Sequence, residues 1–173
     1  MHSVADGVVE HADNAEFTIS LLDRHFLAGD AAVYASLEEK FKQFLARRGP
    51  SLARQIAGLA EGRRTKFQNT IYHLEPNVKE SPGGLRDVQT ARWLLMLEPR
   101  EGTLDLSGAF NFLSGVRLRL HELAGRDQNA LSFEAQESLS DHPGALMRDY
   151  YRQARVVDQA VRQAMEASTE KPG

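Results

Sequence analysis

The sequence predicts an all-α fold: an antiparallel helical bundle with one long, charged loop that contains proline and glycine. About eight segments repeat apolar residues at the spacing of a helix face, and no segment alternates as a strand does. Most connections between these segments are short, which favours antiparallel neighbours. A chain of 173 residues is typical of one domain with a substantial apolar core.

Two short helices are predicted before residue 30. Ser3 and Asp6 resemble a capping pair that opens a helix reaching Ala12. Asn14 is the expected cap of the next helix, which ends near Gly29. The predicted apolar face of this second helix contains Ala15, Ile19, Leu22 and Phe26.

Two further helices are expected before the charged loop. Asp30 is the predicted N-cap of the first. Its apolar stripe contains Val33, Leu37, Phe41, Phe44 and Leu45. Gly49 and Pro50 are predicted to end this helix, because proline disrupts a helix interior. Ser51 then begins the next helix. Its apolar side contains Leu52, Ile56, Leu59 and Phe67.

Two longer elements are predicted directly after the loop. Asp87 is the expected N-cap of a helix that ends near Glu98 and Pro99. Ser107 is the expected cap of a long helix that Gly125 closes. The apolar positions of this long helix are Phe110, Leu113, Val116, Leu120 and Leu123.

A short helix and a final long helix complete the predicted domain. The short one contains Phe133, Gln136 and Leu139, and Pro143 suits the first turn of the last helix. The apolar side of the last helix contains Leu146, Tyr150, Ala154, Val157 and Val161. We expect a single helical domain over residues 1–167 and a disordered polar tail over residues 168–173.

The composition excludes several functional classes. A 42% hydrophobic content with a net charge of −3 is typical of a globular protein and gives no support to nucleic-acid binding. The chain has no cysteine, which excludes disulfides and thiolate metal sites. No apolar run approaches the roughly 20 residues of a membrane span, and the N-terminus resembles no signal peptide. We therefore expect a cytoplasmic protein that binds neither nucleic acid nor membrane.

The charged loop, residues 72–87, is the candidate functional segment. Its two prolines favour extended backbone, and its paired glycines allow conformations that other residues avoid. Its charged residues are Glu75, Lys79, Glu80, Arg86 and Asp87. A loop that leads into a helix N-terminus often binds anions, but Asp87 at the cap would occupy the anion's position. Lys79 and Arg86 are therefore the favoured anion-binding side chains; the alternative is that these charges only solvate the loop.

The run from Leu74 to Thr90 resembles the LEPN-x-KE-x-PGGLRD-x-QT signature of bacterial PII-protein uridylyltransferase/uridylyl-removing enzymes, with Ser81 in place of a glycine. Other residues that resemble the family are Leu21–Asp23, Leu27–Asp30, Arg117, Leu120, His121, Gly125, Arg126, Leu131, Phe133, Gln136 and Tyr150–Arg152. The PGGLRD run argues against the related glutamine synthetase adenylyltransferases.

The resemblance implies a helical domain that follows a nucleotidyltransferase domain. Enzymes of the family transfer UMP from UTP to a tyrosine of the PII signalling protein, with magnesium, when nitrogen is limiting. The signature is expected to face the catalytic domain. The implied nucleotide or substrate-cleft residues are Lys79, Glu80, Gly83, Gly84, Arg86 and Asp87. The two glycines among them would supply backbone shape and not chemistry.

The chain is not expected to be catalytic alone. The family holds magnesium with a D-x-D pair and a third carboxylate on a later strand, and it removes UMP with an HD domain; the sequence shows neither pattern. Its six histidines lack the spacing of a helical zinc motif, and no nucleophile elbow is present. We therefore predict no catalytic residue and no metal site in this chain, with magnesium bound elsewhere in the parent enzyme.

Several alternatives stay open at this stage. The basic clusters are either solvated helix surface or contacts to phosphates or a partner domain. They are Arg63, Arg64 and Lys66, and Arg117, Arg119 and Arg126. The chain is either an excised middle domain or a diverged stand-alone relative. Its function is either to pack on the catalytic domain and shape its substrate cleft, or to serve as a non-enzymatic helical interaction module.

Overall fold

The computed structural model describes residues 15–169, and this part of the chain contains six α-helices and no β-strand. The helices are α1 (Ala15–Ser20), α2 (Ala31–Lys66), α3 (Leu85–Leu97), α4 (Ser107–Ala124), α5 (Phe133–Leu139) and α6 (Pro143–Thr169). The predicted all-α class is confirmed. None of these helices is both long and apolar enough to cross a membrane.

The N-terminal region differs from its prediction. The expected helix over residues 3–12 and its successor's cap, Asn14, lie outside the described residues. A 3₁₀ turn extends α1 only to Asp23, so the prediction that this helix continues to Gly29 is wrong. As a result Phe26 does not belong to its apolar face and is 46% exposed.

Arg24 explains why the helix stops early. Its Nη1 donates to the Leu21 carbonyl at 2.7 Å, which satisfies one of the carbonyls left free at a helix end. Its Nε and Nη2 donate to the two Glu38 carboxylate oxygens at 2.6 and 2.8 Å. The chain therefore leaves the helix to form an ion pair with α2.

Four predicted helix boundaries are confirmed. Asp30 caps α2 by accepting two backbone N–H groups of its first turn. Glu98 is the C-cap of α3, and Gly125 closes α4 with a left-handed φ of 62°. Pro143 is the first residue of α6. That helix continues through residues 168 and 169, and residues 170–173 lie outside the described part.

The predicted break at Gly49 and Pro50 is wrong, because α2 runs through both residues and through Ser51 as one helix of 36 residues. Proline disfavours a helical residue before it mainly through a clash with that residue's Cβ and N–H. Gly49 has no Cβ, which removes part of this clash. Beyond the proline, Leu52 and Ile56 are buried against α3, so packing favours continuation of the helix.

Two predicted N-caps are also wrong. Helix α3 begins at Leu85 with Gly84 as its N-cap, so Asp87 is its third residue and not the cap. Ser107 is the first helical residue of α4, after Leu106. In both cases the polar side chain lies inside the first turn and not at its boundary.

Two apolar clusters form the core, and α3 contributes to both. The larger cluster joins α3 to α4, α5 and α6 and includes Val78 of the charged loop. The smaller cluster joins α2 to the other side of α3, at Trp93 and Leu94. Helix α6 packs against α2, α3, α4 and α5. The charged loop therefore leads into the helix that connects the two halves of the core.

Candidate functional site

Backbone hydrogen bonds fix the charged loop to the rest of the domain. Val78 donates its N–H to the Asn129 carbonyl at 2.8 Å, and Leu131 donates its N–H to the Pro76 carbonyl at 2.9 Å. Together they form an isolated antiparallel β-bridge with the segment before α5. The loop therefore has a defined conformation although it is neither helix nor sheet.

Side chains from later helices hold the beginning of the loop. Gln136 of α5 donates its Nε2 to the Leu74 carbonyl at 2.8 Å. Tyr151 of α6 donates its hydroxyl to the His73 carbonyl at 2.8 Å. These bonds satisfy backbone acceptors in a segment that has no helical partners.

A side-chain turn sets the position of Lys79 and Glu80. The Asn77 Oδ1 accepts the N–H of Lys79 at 3.1 Å and that of Glu80 at 2.9 Å. The Ser81 hydroxyl accepts the Asn77 N–H at 3.0 Å. Ser81, where the family signature has glycine, thus closes the turn with its own side chain.

Glycine is required at two positions of the loop. Gly83 has a φ of +77°, and a Cβ built on it would lie 2.5 Å from the Ala154 carbonyl oxygen of α6. A Cβ on Gly84 would lie 2.8 Å from the Val78 carbonyl oxygen. Both glycines allow the backbone to pack closely, which is the structural role expected for them.

Asp87 lies at the centre of a buried ion cluster. Its carboxylate is 0% exposed and forms ion pairs with Arg63 and Arg64 of α2. Arg64 also forms an ion pair with Asp158 of α6. The Asp87 Oδ2 additionally accepts the Gly83 N–H at 2.8 Å. This cluster, Arg63–Arg64–Asp87–Asp158, joins three helices to the charged loop.

The ion cluster changes how two predicted groups are interpreted. Arg64 is buried and Arg63 is largely so, and neither is therefore simply a solvated residue of a helix surface. Burial lowers the pKa of Arg63, and the negative charges of Asp87 and Glu80 oppose that shift. Asp87, one of the predicted cleft residues, is enclosed and reaches no solvent. Its carboxylate stabilises the loop from inside.

The backbone at the start of α3 offers no free anion site in its first three residues. Leu85 donates its N–H to the Val78 carbonyl at 3.0 Å, and Arg86 donates to the Lys79 carbonyl at 2.9 Å. Asp87 donates to the Gly84 carbonyl at 3.0 Å. An anion at this end of the helix would therefore have to bind side chains, as expected for Lys79 and Arg86.

Lys79, Glu80 and Arg86 are partly exposed, in contrast to the enclosed Asp87. Their side chains are 32%, 32% and 37% exposed. Glu80 lies between the two cations, with its Oε1 3.9 Å from the Lys79 Nζ and 3.7 Å from an Arg86 Nη2. Arg86 donates from Nη1 to the Gln89 Oε1 at 2.7 Å, and Gln89 donates from Nε2 to the Asp23 Oδ2 at 2.6 Å.

Two cavities adjoin the hydrogen bonds that link Arg86, Gln89 and Asp23. The larger has a volume of about 620 Å³ and the smaller about 320 Å³, both within the range of small-molecule sites. Asp23, Arg86 and Gln89 line both cavities. Lys79 lines only the smaller one. The structure thus brings Lys79 and Arg86 together at one cavity.

The larger cavity has a mixed lining. Its apolar wall includes Ile56 and Leu59, and its residues also include Arg63 and Trp93. The Arg63 Nη1 and the Trp93 Nε1 are buried and have no hydrogen-bond partner among the described residues. Unpaired buried donors are costly, so these two atoms reduce the stability of the fold.

No metal site is found where the structure can be described. Over residues 15–169, no three His, Cys, Asp or Glu side chains gather closely enough to hold an ion. His73 contacts the Phe67 carbonyl at 3.0 Å, and His121 contacts Asp127 at 3.0 Å. The described carboxylates thus do not fit the pair of magnesium ions that the family resemblance implies.

Two cationic residues of the smaller cavity were not predicted as site residues: Arg92 of α3 and Arg117 of α4. The sequence does contain a pattern that could have indicated Arg92. Leu85, Val88, Gln89 and Arg92 follow helical spacing and all line the smaller cavity. The polar members of this row distinguish it from a purely apolar stripe. Arg117 was predicted only as part of a basic cluster and of the family resemblance.

Comparison with known proteins gives one consistent family. Residues 51–100 and 97–166 match the protein family described as GlnD PII-uridylyltransferase. The bifunctional uridylyltransferase/uridylyl-removing enzymes of Burkholderia orbicola and Cupriavidus metallidurans are both 32% identical to this chain over 92% of its length, and that of Burkholderia mallei is 33% identical over the same share. The chain spans about a fifth of these relatives, 21% of each. No solved structure matches it significantly.

Proposed function

Because the chain belongs to the GlnD PII-uridylyltransferase family, we propose that it is the helical domain that packs on the nucleotidyltransferase domain and shapes its substrate cleft. In this role the charged loop faces the catalytic domain. The reaction is transfer of UMP from UTP to the PII regulatory protein, as part of nitrogen regulation in the cytoplasm. The partners are thus the catalytic domain, UTP and PII, and neither nucleic acid nor membrane.

The observation that carries this proposal is the shared position of Lys79 and Arg86. Both are partly exposed and both line the smaller cavity. Lys79 lies in the charged loop and Arg86 in the first turn of α3, and backbone hydrogen bonds fix this junction. Cations held in a fixed position stabilise phosphate charge without reorganisation during the reaction. The partial exposure of both cations supports this role over that of a non-enzymatic interaction module.

The chain's own residues would bind and orient, and chemistry would come from elsewhere. Two magnesium ions, when bound in the parent enzyme, stabilise the attacking and leaving oxygens of the phosphoryl transfer. Lys79 and Arg86 would add positive charge beside the nucleotide phosphates. Gly83, Gly84 and Asp87 would hold the loop in shape, and Glu80 would lie between the two cations.

The test is substitution in a full-length uridylyltransferase that carries this domain. We expect Lys79→Ala and Arg86→Ala each to lower uridylyl transfer to PII by roughly 10- to 150-fold, the effect of a lost charge-assisted hydrogen bond of about 1.5–3 kcal/mol in the transition state. Matched controls are Lys40→Ala and Arg54→Ala, because both residues are exposed on α2 and line neither cavity.

Two outcomes would contradict the proposal. If both cleft variants keep transfer within about twofold of the parent while the melting temperature is unchanged, the loop is scaffolding and the interaction module is the better account. The isolated 173-residue chain should transfer no UMP from labelled UTP to PII in the presence of magnesium. Reproducible labelling would show that the chain contains a catalytic site.

A further inference from the structure

The smaller cavity is unusually rich in positive charge for this protein. Four of its lining residues are cations, Lys79, Arg86, Arg92 and Arg117, and one is a carboxylate, Asp23. The whole chain has a net charge of −3, so this local excess runs against the overall balance. Low-dielectric walls around like charges concentrate a positive potential within such a cavity.

Arg92 is positioned to bind a ligand. Its guanidinium carbon lies 4.4 Å from the centre of the Phe110 ring, which also lines the cavity. Stacking on an aromatic face uses the plane of the guanidinium and leaves its N–H donors directed outward at the edges. Arg92 forms no ion pair with any carboxylate in residues 15–169.

Arg117 is held in place from the opposite side. Its Nε donates to the Asn129 Oδ1 at 2.7 Å, and its Nη2 lies 3.4 Å from the Asp127 Oδ1. Asn129 also accepts the Val78 N–H at its carbonyl, so Arg117 is tied to the charged loop. The arginine therefore keeps a fixed orientation, which lowers the entropy lost on binding.

The acidic groups nearby neutralise the cations only in part. Asp23 accepts a hydrogen bond from Gln89, and Glu80 lies 3.7 Å or more from Arg86 and Lys79. Asp127 is shared between Arg117 and His121 and is 67% exposed. Pairs that are this long or this exposed are weak in water, so a multivalent anion can compete with them.

We propose that the smaller cavity binds an oligophosphate group, with Lys79, Arg86, Arg92 and Arg117 as its ligands and the Ser114 hydroxyl as a neutral donor. Several cations from three segments, the charged loop, α3 and α4, match the several oxygens of linked phosphates better than a single carboxylate. The inference deepens the proposed function and depends on it only for the identity of the nucleotide.

The position of the larger cavity beside the smaller one indicates how a bound nucleotide would be oriented. A nucleoside joined to the phosphates would pass Asp23 and Gln89, which line both cavities, and enter the larger one. There the base would lie against the apolar wall that includes Ile56 and Leu59. Inorganic tripolyphosphate and UTP therefore distinguish a phosphate site from a nucleotide site.

The experiment is titration calorimetry on the full 173-residue chain without divalent cations, using tripolyphosphate, UTP and uridine as separate probes. We expect tripolyphosphate to bind, with an affinity that falls as salt rises. Arg92→Gln and Arg117→Gln should each weaken binding on the order of 10-fold. The controls Arg54→Gln and Arg148→Gln remove one exposed arginine each outside both cavities and should change affinity less than twofold.

Equal affinity for UTP and tripolyphosphate assigns the cavity to phosphates alone, and tighter UTP binding adds the nucleoside in the larger cavity. No binding of tripolyphosphate, or equal weakening by the control variants, overturns the site. Arg92→Gln removes only the contact with the Phe110 ring. An unchanged circular dichroism spectrum of this variant would therefore show that it folds and that only binding is lost. If the chain binds tripolyphosphate but Lys79→Ala and Arg86→Ala leave transfer intact, the site stands and the proposed function fails.

Discussion

Arg86 and Asp87 are adjacent in the chain, yet they belong to two regions that use charge in opposite ways. Asp87 is enclosed in the buried ion cluster, where each charge faces an opposite charge and Asp87 and Arg64 are almost fully shielded from solvent. Arg86 lines the smaller cavity, where several cationic side chains gather and their distances to the nearest carboxylates are long. The first arrangement pairs its charges within the fold, and the second leaves positive charge only partly compensated.

Charge density in a sequence does not itself distinguish a structural role from a functional one. The deciding quantity is how completely each charge is compensated when the chain is folded. Removing one member of a compensated buried set leaves an unpaired charge, which is costly. Removing one member of an uncompensated exposed set costs little stability and affects binding.

The largest expected effect is on stability at Asp87. Asp87→Asn should lower the free energy of unfolding by about 3–5 kcal/mol, because Arg63 and Arg64 lose their shared counter-charge in a buried place. Urea denaturation measures this change. The control Asp149→Asn removes a 48% exposed partner of Arg152 and should cost less than about 1 kcal/mol. Similar losses in both variants would show that the buried cluster contributes no more than a surface pair.

The next effect concerns the glycine that the ion cluster holds. Gly83→Ala should lower the free energy of unfolding by roughly 2–4 kcal/mol, since it combines a positive φ with a contact against Ala154 backbone. Gly58→Ala provides a control of opposite sign. Gly58 lies in the interior of α2 with nothing within 4 Å of an added Cβ, so alanine should stabilise by about 0.5–1 kcal/mol. A neutral Gly83→Ala would mean that the loop can move away from α6.

A smaller effect on stability is expected at the exposed neighbour. Arg86→Ala should change the free energy of unfolding by less than about 1 kcal/mol, because its carboxylate contact is long and its side chain is partly solvated. Measured beside Asp87→Asn under the same denaturation conditions, it gives a direct contrast between adjacent residues. A loss comparable to that of Asp87→Asn would remove the distinction between the two regions.

The smallest expected effect is a gain in affinity. Glu80→Gln removes the carboxylate that lies between Lys79 and Arg86. Because an exposed charge interaction is worth about 0.2–1 kcal/mol, we expect tripolyphosphate to bind roughly 1.5- to 5-fold more tightly. Calorimetry on the 173-residue chain measures it. Glu137→Gln on the exposed side of α5 makes the same change of charge and should leave the affinity unaltered. Weaker binding in Glu80→Gln would mean that Glu80 positions the cations.

Much of the fold was predictable because it depends on local rules. Asp30, Gly125 and Pro143 mark helix ends through interactions with residues close in sequence, and all three predictions are confirmed. The predicted break at Pro50 failed because the same local rule was outweighed by packing of the following residues on α3. Asp87 was misassigned as a cap because its partners, Arg63 and Arg64, are more than 20 residues away.

The candidate site was predictable only where it lies in the charged loop. Lys79 and Arg86 could be selected because prolines and glycines surround them in the sequence. Arg92 and Arg117 lie on different helices and meet at one cavity only through the packing of α3 and α4. The ion pair of Arg64 with Asp158 spans 94 residues, and helical periodicity carries no information on such contacts.

The proline inside α2 has a consequence for the timing of local opening. Pro50 has no N–H to donate to the carbonyl of Ala46, so α2 lacks one backbone hydrogen bond near its middle. Only Phe41 and Gly49 are buried before that point, whereas six residues are buried after it. Amide hydrogens over residues 35–45 should therefore exchange with deuterium faster than those over residues 54–64, through a segment that opens without global unfolding. The charged loop contacts the half of α2 in which exchange should be slow. We therefore expect the ion cluster to persist while the other half of the helix opens.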